Sequence, residues 1–103
     1  MAYKLIVTQS AEDDLAAIIE YIVKQLCNPD AAVKLLDEID KRYDVLEENP
    51  YIYARCVHPL LEAGEYRKIV IGSYLLVFRV DEGNHTVFVN RIFNELQDYF
   101  DKL

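Results

Sequence analysis

Lys68 and Arg79, with Tyr66 beside them, are the side chains of this 103-residue sequence best suited to act on a phosphate. Two cations could hold the charge that develops on a phosphorane-like transition state. Cleaving RNA through its own 2′-hydroxyl also needs a group to take that proton and an acid for the leaving oxygen. Neither Lys68 nor Arg79 is a base at neutral pH without a strongly lowered pKa, and no histidine is expected on the same surface. As they stand they supply charge and no proton transfer, so no residue is assigned as catalytic.

Cys56-Val57-His58, with Cys27, invites a metal or a thiolate nucleophile. Zinc sites need four ligands in closely spaced pairs, and only Cys56 and His58 qualify locally. Nothing fixes a cysteine against His58 or His85 as a nucleophilic pair. Glu12-Asp13-Asp14 reads as acids favouring the positive end of a helix. No glycine-rich phosphate loop is present. No metal or cofactor is expected.

These residues depend on a small set of elements for their positions. Residues 3–8 (YKLIVT) alternate as a strand. Ser10 can cap a helix whose apolar stripe is Leu15, Ile18, Ile19, Ile22 and Leu26. Asn28-Pro29 ends it and opens a second helix, capped by Asn28 or Asp30, with Ala32, Leu35, Leu36, Ile39, Tyr43 and Leu46 on one stripe. So short a join predicts an antiparallel helical hairpin. Residues 51–64 show no period and read as a loop. Two strands then flank Gly72-Ser73, which suits a type II′ turn, and this places Ile71 opposite Tyr74, Ile69 opposite Leu76 and Arg67 opposite Phe78. Residues 81–84 turn into a last strand, 85–93, and a weakly helical tail follows.

The expectation is an α+β fold, β-α-α-β-β-β, with the helical hairpin on one face of a small antiparallel sheet. Ile69, Ile71, Leu76 and Phe78 should meet the helices. Tyr66, Lys68, Val70, Leu75, Val77 and Arg79 should form an uncovered apolar and basic face, unless the tail folds back over it. Such a face is expected to bind a partner. Arg67 and Arg91 are expected to pair with helix carboxylates, and Arg91 is also a candidate contact with a partner.

Composition narrows the function. Hydrophobic residues make up 52% and charged residues 28%, as in a globular domain, and 1–103 reads as one domain. The net charge of −7 argues against non-specific nucleic-acid binding, which draws on cation-driven counterion release. Residues 9–50 hold eleven acidic and four basic side chains, so the acidity belongs to the helical hairpin. No apolar stretch approaches the ~20 residues of a membrane span. With no signal peptide at its start, a cytoplasmic protein is expected.

Order and spacing resemble the RelE/ParE superfamily of bacterial type II toxin–antitoxin modules across essentially the whole chain. The N-terminal pattern is Ala11, Asp14, Leu15, Ile18, Tyr21 and Ile22. Asn28-Pro29, Ala32, Ile39, Leu46 and Pro50 follow. The hairpin carries Arg67, Ile69, Ile71, Gly72, Tyr74, Leu76, Phe78 and Val80, and the last strand VFVNRIF carries Arg91. Where nuclease relatives are cationic, this chain has Leu75 and Val70, and Asn94-Glu95-Leu96-Gln97-Asp98 replaces a basic ending. The resemblance thus implies a ParE-like toxin that binds a protein, DNA gyrase in the known cases, more readily than an inactive toxin remnant or a RelE-like nuclease acting on the ribosome, whose catalytic set here would be Lys68, Arg79 and Tyr66. It also implies a cognate antitoxin as partner, with Tyr66, Lys68, Val70, Leu75, Val77, Arg79 and Arg91 as binding residues.

Overall fold

The computed structural model describes residues 2–54 and 65–94. Strand β1 (Lys4–Val7) leads into helix α1 (Gln9–Lys24) and helix α2 (Pro29–Glu48), followed by a 3-10 turn at Pro50–Ile52. Strands β2 (Arg67–Ile71), β3 (Tyr74–Asp81) and β4 (Thr86–Phe93) complete the order, with a second 3-10 turn at Glu82–Asn84. The β-α-α-β-β-β order is the expected one. The sheet runs β1-β4-β3-β2, and β1 joins β4 in parallel. It is therefore mixed rather than wholly antiparallel, because the chain crosses over through both helices before returning beside its first strand.

Local chemistry sets the joins. Thr8, not Ser10, caps α1: its Oγ1 accepts from the Ala11 N–H at 3.2 Å and donates to Asn90 O at 3.0 Å. One hydroxyl thus ties the helix start to β4 at Asn90, the residue bulged out of the β3–β4 register. Asn28 caps α2 through Oδ1, and Pro29 takes the first turn as expected. Between the helices Cys27 lies at φ 50, and the Asn28 N–H reaches back to Ile22 O. At the hairpin Gly72 lies at φ 59 while Ser73 keeps a negative φ, the type II′ pattern. The β2–β3 register is the expected one, from Arg67 opposite Phe78 to Ile71 opposite Tyr74.

The core lies between the hairpin and one sheet face. Ile18, Ile22, Leu35, Ile39 and Leu46 from the helices meet Ile69, Leu76, Phe78, Val87, Val89 and Ile92 from the sheet. Two expected members of the helical stripes, Leu26 and Leu36, are exposed instead. The face opposite the helices is buried at its centre. Leu75 and Val77 are 6% and 2% exposed, and with Phe93 they form a second buried cluster against which Tyr66 packs. Only Val70 of the expected apolar centre is exposed, at 61%. The tail beyond Asn94, the one segment named as able to cover this face, lies outside the described residues.

Candidate functional site

The side chains singled out from the sequence lie along the strands of the sheet. Lys68 stands opposite Val77 and Arg79 opposite Phe88, so both belong to the face turned away from the helices. Arg79 sets its guanidinium 5.1 Å from the Phe88 ring centre, a cation–π contact. Tyr66 packs on the buried Leu75, Val77 and Phe93. Tyr66, Lys68 and Arg79 therefore share a face, but its centre is filled by the chain's own apolar side chains.

No imidazole joins them among the described residues. His85 sits at the β3–β4 turn, its ring stacked 5.4 Å from Tyr3 and its Nδ1 3.3 Å from Ala2 O. Val77 to Asp81 alone spans about 13 Å at ~3.3 Å per residue, so that turn is remote from Lys68. Cys56 and His58 lie outside the described residues. Cys27 is exposed, and its thiol lies 3.7 Å from Lys24 O as a weak donor. Among the described residues no group of His, Cys, Asp and Glu converges as a metal site would.

Arg91 anchors an ion pair, as a lone arginine in an apolar strand should. Its Nε donates to Asp14 Oδ2 at 2.7 Å and its second nitrogen to Oδ1 at 3.0 Å. Asp14 Oδ2 also accepts from the Ile92 N–H at 3.0 Å. The Asp14 hydrogen bond in turn raises the Arg91 pKa above its ordinary value. The signal for Asp14 was present in the sequence: it lies four residues before Ile18, an acid on the stripe that meets the sheet. Arg67 differs from expectation. It donates to the backbone carbonyl of Tyr53 at 2.8 Å and lies 5.0 Å over the Tyr51 ring, with no helix carboxylate in the role.

A second polar cluster went unread. Glu82 Oε2 accepts from the Tyr3 and Tyr51 hydroxyls at 2.9 and 2.7 Å. The hydrogen bond to Glu82 pushes Tyr51 up to about 12 and raises Tyr3, while the two phenols lower Glu82. The three residues come from the segment just before β1, the turn after α2 and the β3–β4 turn, so no sequence spacing connects them.

A family model described as the ParE toxin of the type II toxin–antitoxin system, parDE, matches residues 5–99. The chain belongs to the ParE toxin family. Among solved structures this ParE-family chain is similar to one titled the chromosomal ParDE TA system from P. aeruginosa. The TM-score is 0.71 at 22% identity, covering 91% of this chain and 97% of that one. It is also similar to a chain of the toxin–antitoxin complex RelBE2 from Mycobacterium tuberculosis. There the TM-score is 0.51 at 19% identity, covering 90% and 98%. At these identities the two structures establish the fold, which is that of the RelE/ParE toxins. No curated protein matches. Among the described residues no helix is long and apolar enough to cross a membrane.

Proposed function

We propose that this ParE-family toxin acts by binding a protein target, DNA gyrase, and is neutralised by a cognate antitoxin. The observation that carries the reading is the burial of Leu75 and Val77 at the centre of the face bearing Lys68 and Arg79. Where a nuclease would gather cations and a proton acceptor, this chain builds a small apolar cluster. Lys68 and Arg79 are left to contact a partner rather than a scissile phosphate. Lys68, Val70 and Arg79 are the parts of the expected binding set open to such contact, with Tyr66, Leu75 and Val77 as the platform beneath them. Arg91 serves through Asp14 to hold the end of β4.

The test is a gyrase supercoiling assay with the purified 103-residue chain. Supercoiling should fall and cleaved DNA accumulate as the chain is added, and the antitoxin should reverse both. Site-specific cuts in mRNA on purified ribosomes, abolished by Lys68→Ala, would replace this reading with that of a ribosome-dependent nuclease.

A further inference from the structure

Among the described residues the sheet has two stepped corners, because neither outer strand runs the full length of its neighbour. On one side β1 ends at Val7 opposite Val89, leaving the edge of β4 without a strand at residues 91–93. On the other, β2 begins at Arg67 opposite Phe78, leaving the edge of β3 without one at residues 79–81. The two corners carry matching dipeptides, Arg91-Ile92 and Arg79-Val80. In each the arginine lies on the face away from the helices, with its guanidinium over a phenylalanine ring at 5.4 Å (Phe93) or 5.1 Å (Phe88).

The backbone matches as well. In a two-residue hairpin the closing pair Ile71–Tyr74 exchanges both hydrogen bonds, and bonded pairs then alternate along the ladder. Tyr74, Leu76 and Phe78 therefore turn their N–H and C=O toward β2, and Val80 is next in that series. Glu65 would stand opposite Val80 if β2 continued, but it lies at φ 59, outside the strand, where the chain leaves the edge. Val80 thus faces a notch of about 420 Å³ with Arg67, Arg79 and Tyr51 in its walls. Three acids, Glu65, Asp81 and Glu82, share its lining, and none of them is free. Asp81 is held by the Asn84 backbone N–H and Nδ2 at 3.3 and 2.8 Å, and Glu82 by its two phenols.

At the first corner the molecule shows what such an edge accepts: the Asp14 carboxylate, taking the Ile92 N–H and the Arg91 guanidinium together. We propose that the second corner takes a carboxylate in the same way, from an Asp or Glu on an extended segment of the antitoxin that bonds the Val80 N–H and the Arg79 guanidinium. The segment is extended because the edge presents the Val80 C=O beside its N–H, a pair that an added strand satisfies. Naming the antitoxin rests on the function proposed above. The carboxylate site itself does not.

Two measurements separate the claims. The first titrates the isotope-labelled full chain with the peptide Ac-Val-Asp-Val-NH₂ and follows backbone amides and arginine Nε signals by NMR. Saturable shifts at the Val80 amide and Arg79 Nε are expected, with at least tenfold weaker binding for Ac-Val-Asn-Val-NH₂ and for the Arg79→Gln chain. Equal binding of the asparagine peptide, or no shift at Val80, overturns the site. The second measures hydrogen exchange at Val80 in the complex with the antitoxin. Slowed exchange supports the antitoxin as the source. If the antitoxin binds with Val80 unprotected and Arg79→Gln without effect, the proposal fails while the toxin reading stands. If the antitoxin does not bind this chain at all, it is the toxin reading that fails, and the peptide result still decides the site.

Discussion

The two faces of the sheet are built from the same strands and yet were not equally readable. On the helix side Ile69, Ile71, Leu76 and Phe78 alternate, and α1 and α2 carry apolar stripes of matching length to meet them. On the other side Leu75, Val77 and Phe93 are as deeply buried, but no amphipathic element in the described residues answers them. The difference is one of information. Alternation along a strand states which side chains share a face, whereas coverage depends on other segments of the chain.

The largest effects should separate covered from open positions. Phe78→Asp places a charge where the side chain is fully buried, and should cost more than about 4 kcal/mol and unfold the domain. Val77→Asp should now cost about 3 kcal/mol, although its face was expected to be open. Val70→Asp, on that same face, should change stability by less than about 0.5 kcal/mol. Urea denaturation of the three variants checks the order. If Val77→Asp proves as mild as Val70→Asp, the second cluster contributes nothing and that face is open after all.

Element order, the hairpin register and the helix-side core were legible because each follows from local pattern. Gly72 at its left-handed φ fixes the turn, and the turn then fixes every pair from Arg67 to Ile71. What was missed depends on contacts between distant residues. Thr8 caps α1 rather than Ser10 because its hydroxyl also reaches Asn90, 82 residues away. Arg67 was expected to find a carboxylate, but the segment after α2 brings a backbone carbonyl closer. Of the candidate site, the strand positions of Lys68 and Arg79 were readable. The filling of its centre by Leu75 and Val77 was not.

A middle-sized effect belongs to the corner where Asp14 holds β4. Its side chain is 10% exposed and accepts from the Arg91 guanidinium through both oxygens and from the Ile92 N–H. Asp14→Ala leaves the Ile92 N–H without its acceptor and should cost about 2–3 kcal/mol. Arg91→Met keeps the backbone bond and should cost about 1 kcal/mol, since the arginine is more than a third exposed and its pairing is partly screened. A double-mutant cycle should then return less than the Asp14→Ala loss. Equal losses from the two single variants would mean that the guanidinium, and not the edge amide, is what Asp14 serves.

The smallest effect contrasts Tyr43 with Tyr51. Tyr43 packs against the helix-side core with its hydroxyl buried and unpartnered, and burial first, then the charges of Asp40 and Glu12, push its pKa up to about 12. Tyr51 also rises to about 12, but through its hydrogen bond to Glu82 at the surface. For both, folding favours the neutral phenol. Each contribution is therefore fully present below the ordinary value of 10.0 and is lost as pH rises from 10 toward 12. At neutral pH the two should part. Tyr43→Phe removes a hydroxyl that has no partner and should leave stability unchanged or raise it by up to about 1 kcal/mol. Tyr51→Phe takes a donor from Glu82 and should lower stability by about 0.5 kcal/mol. Thermal unfolding at pH 7 and at pH 11 checks both. Each variant should lose less stability than the parent chain between the two pH values, and a loss from Tyr43→Phe at pH 7 would show that its hydroxyl does have a partner in solution.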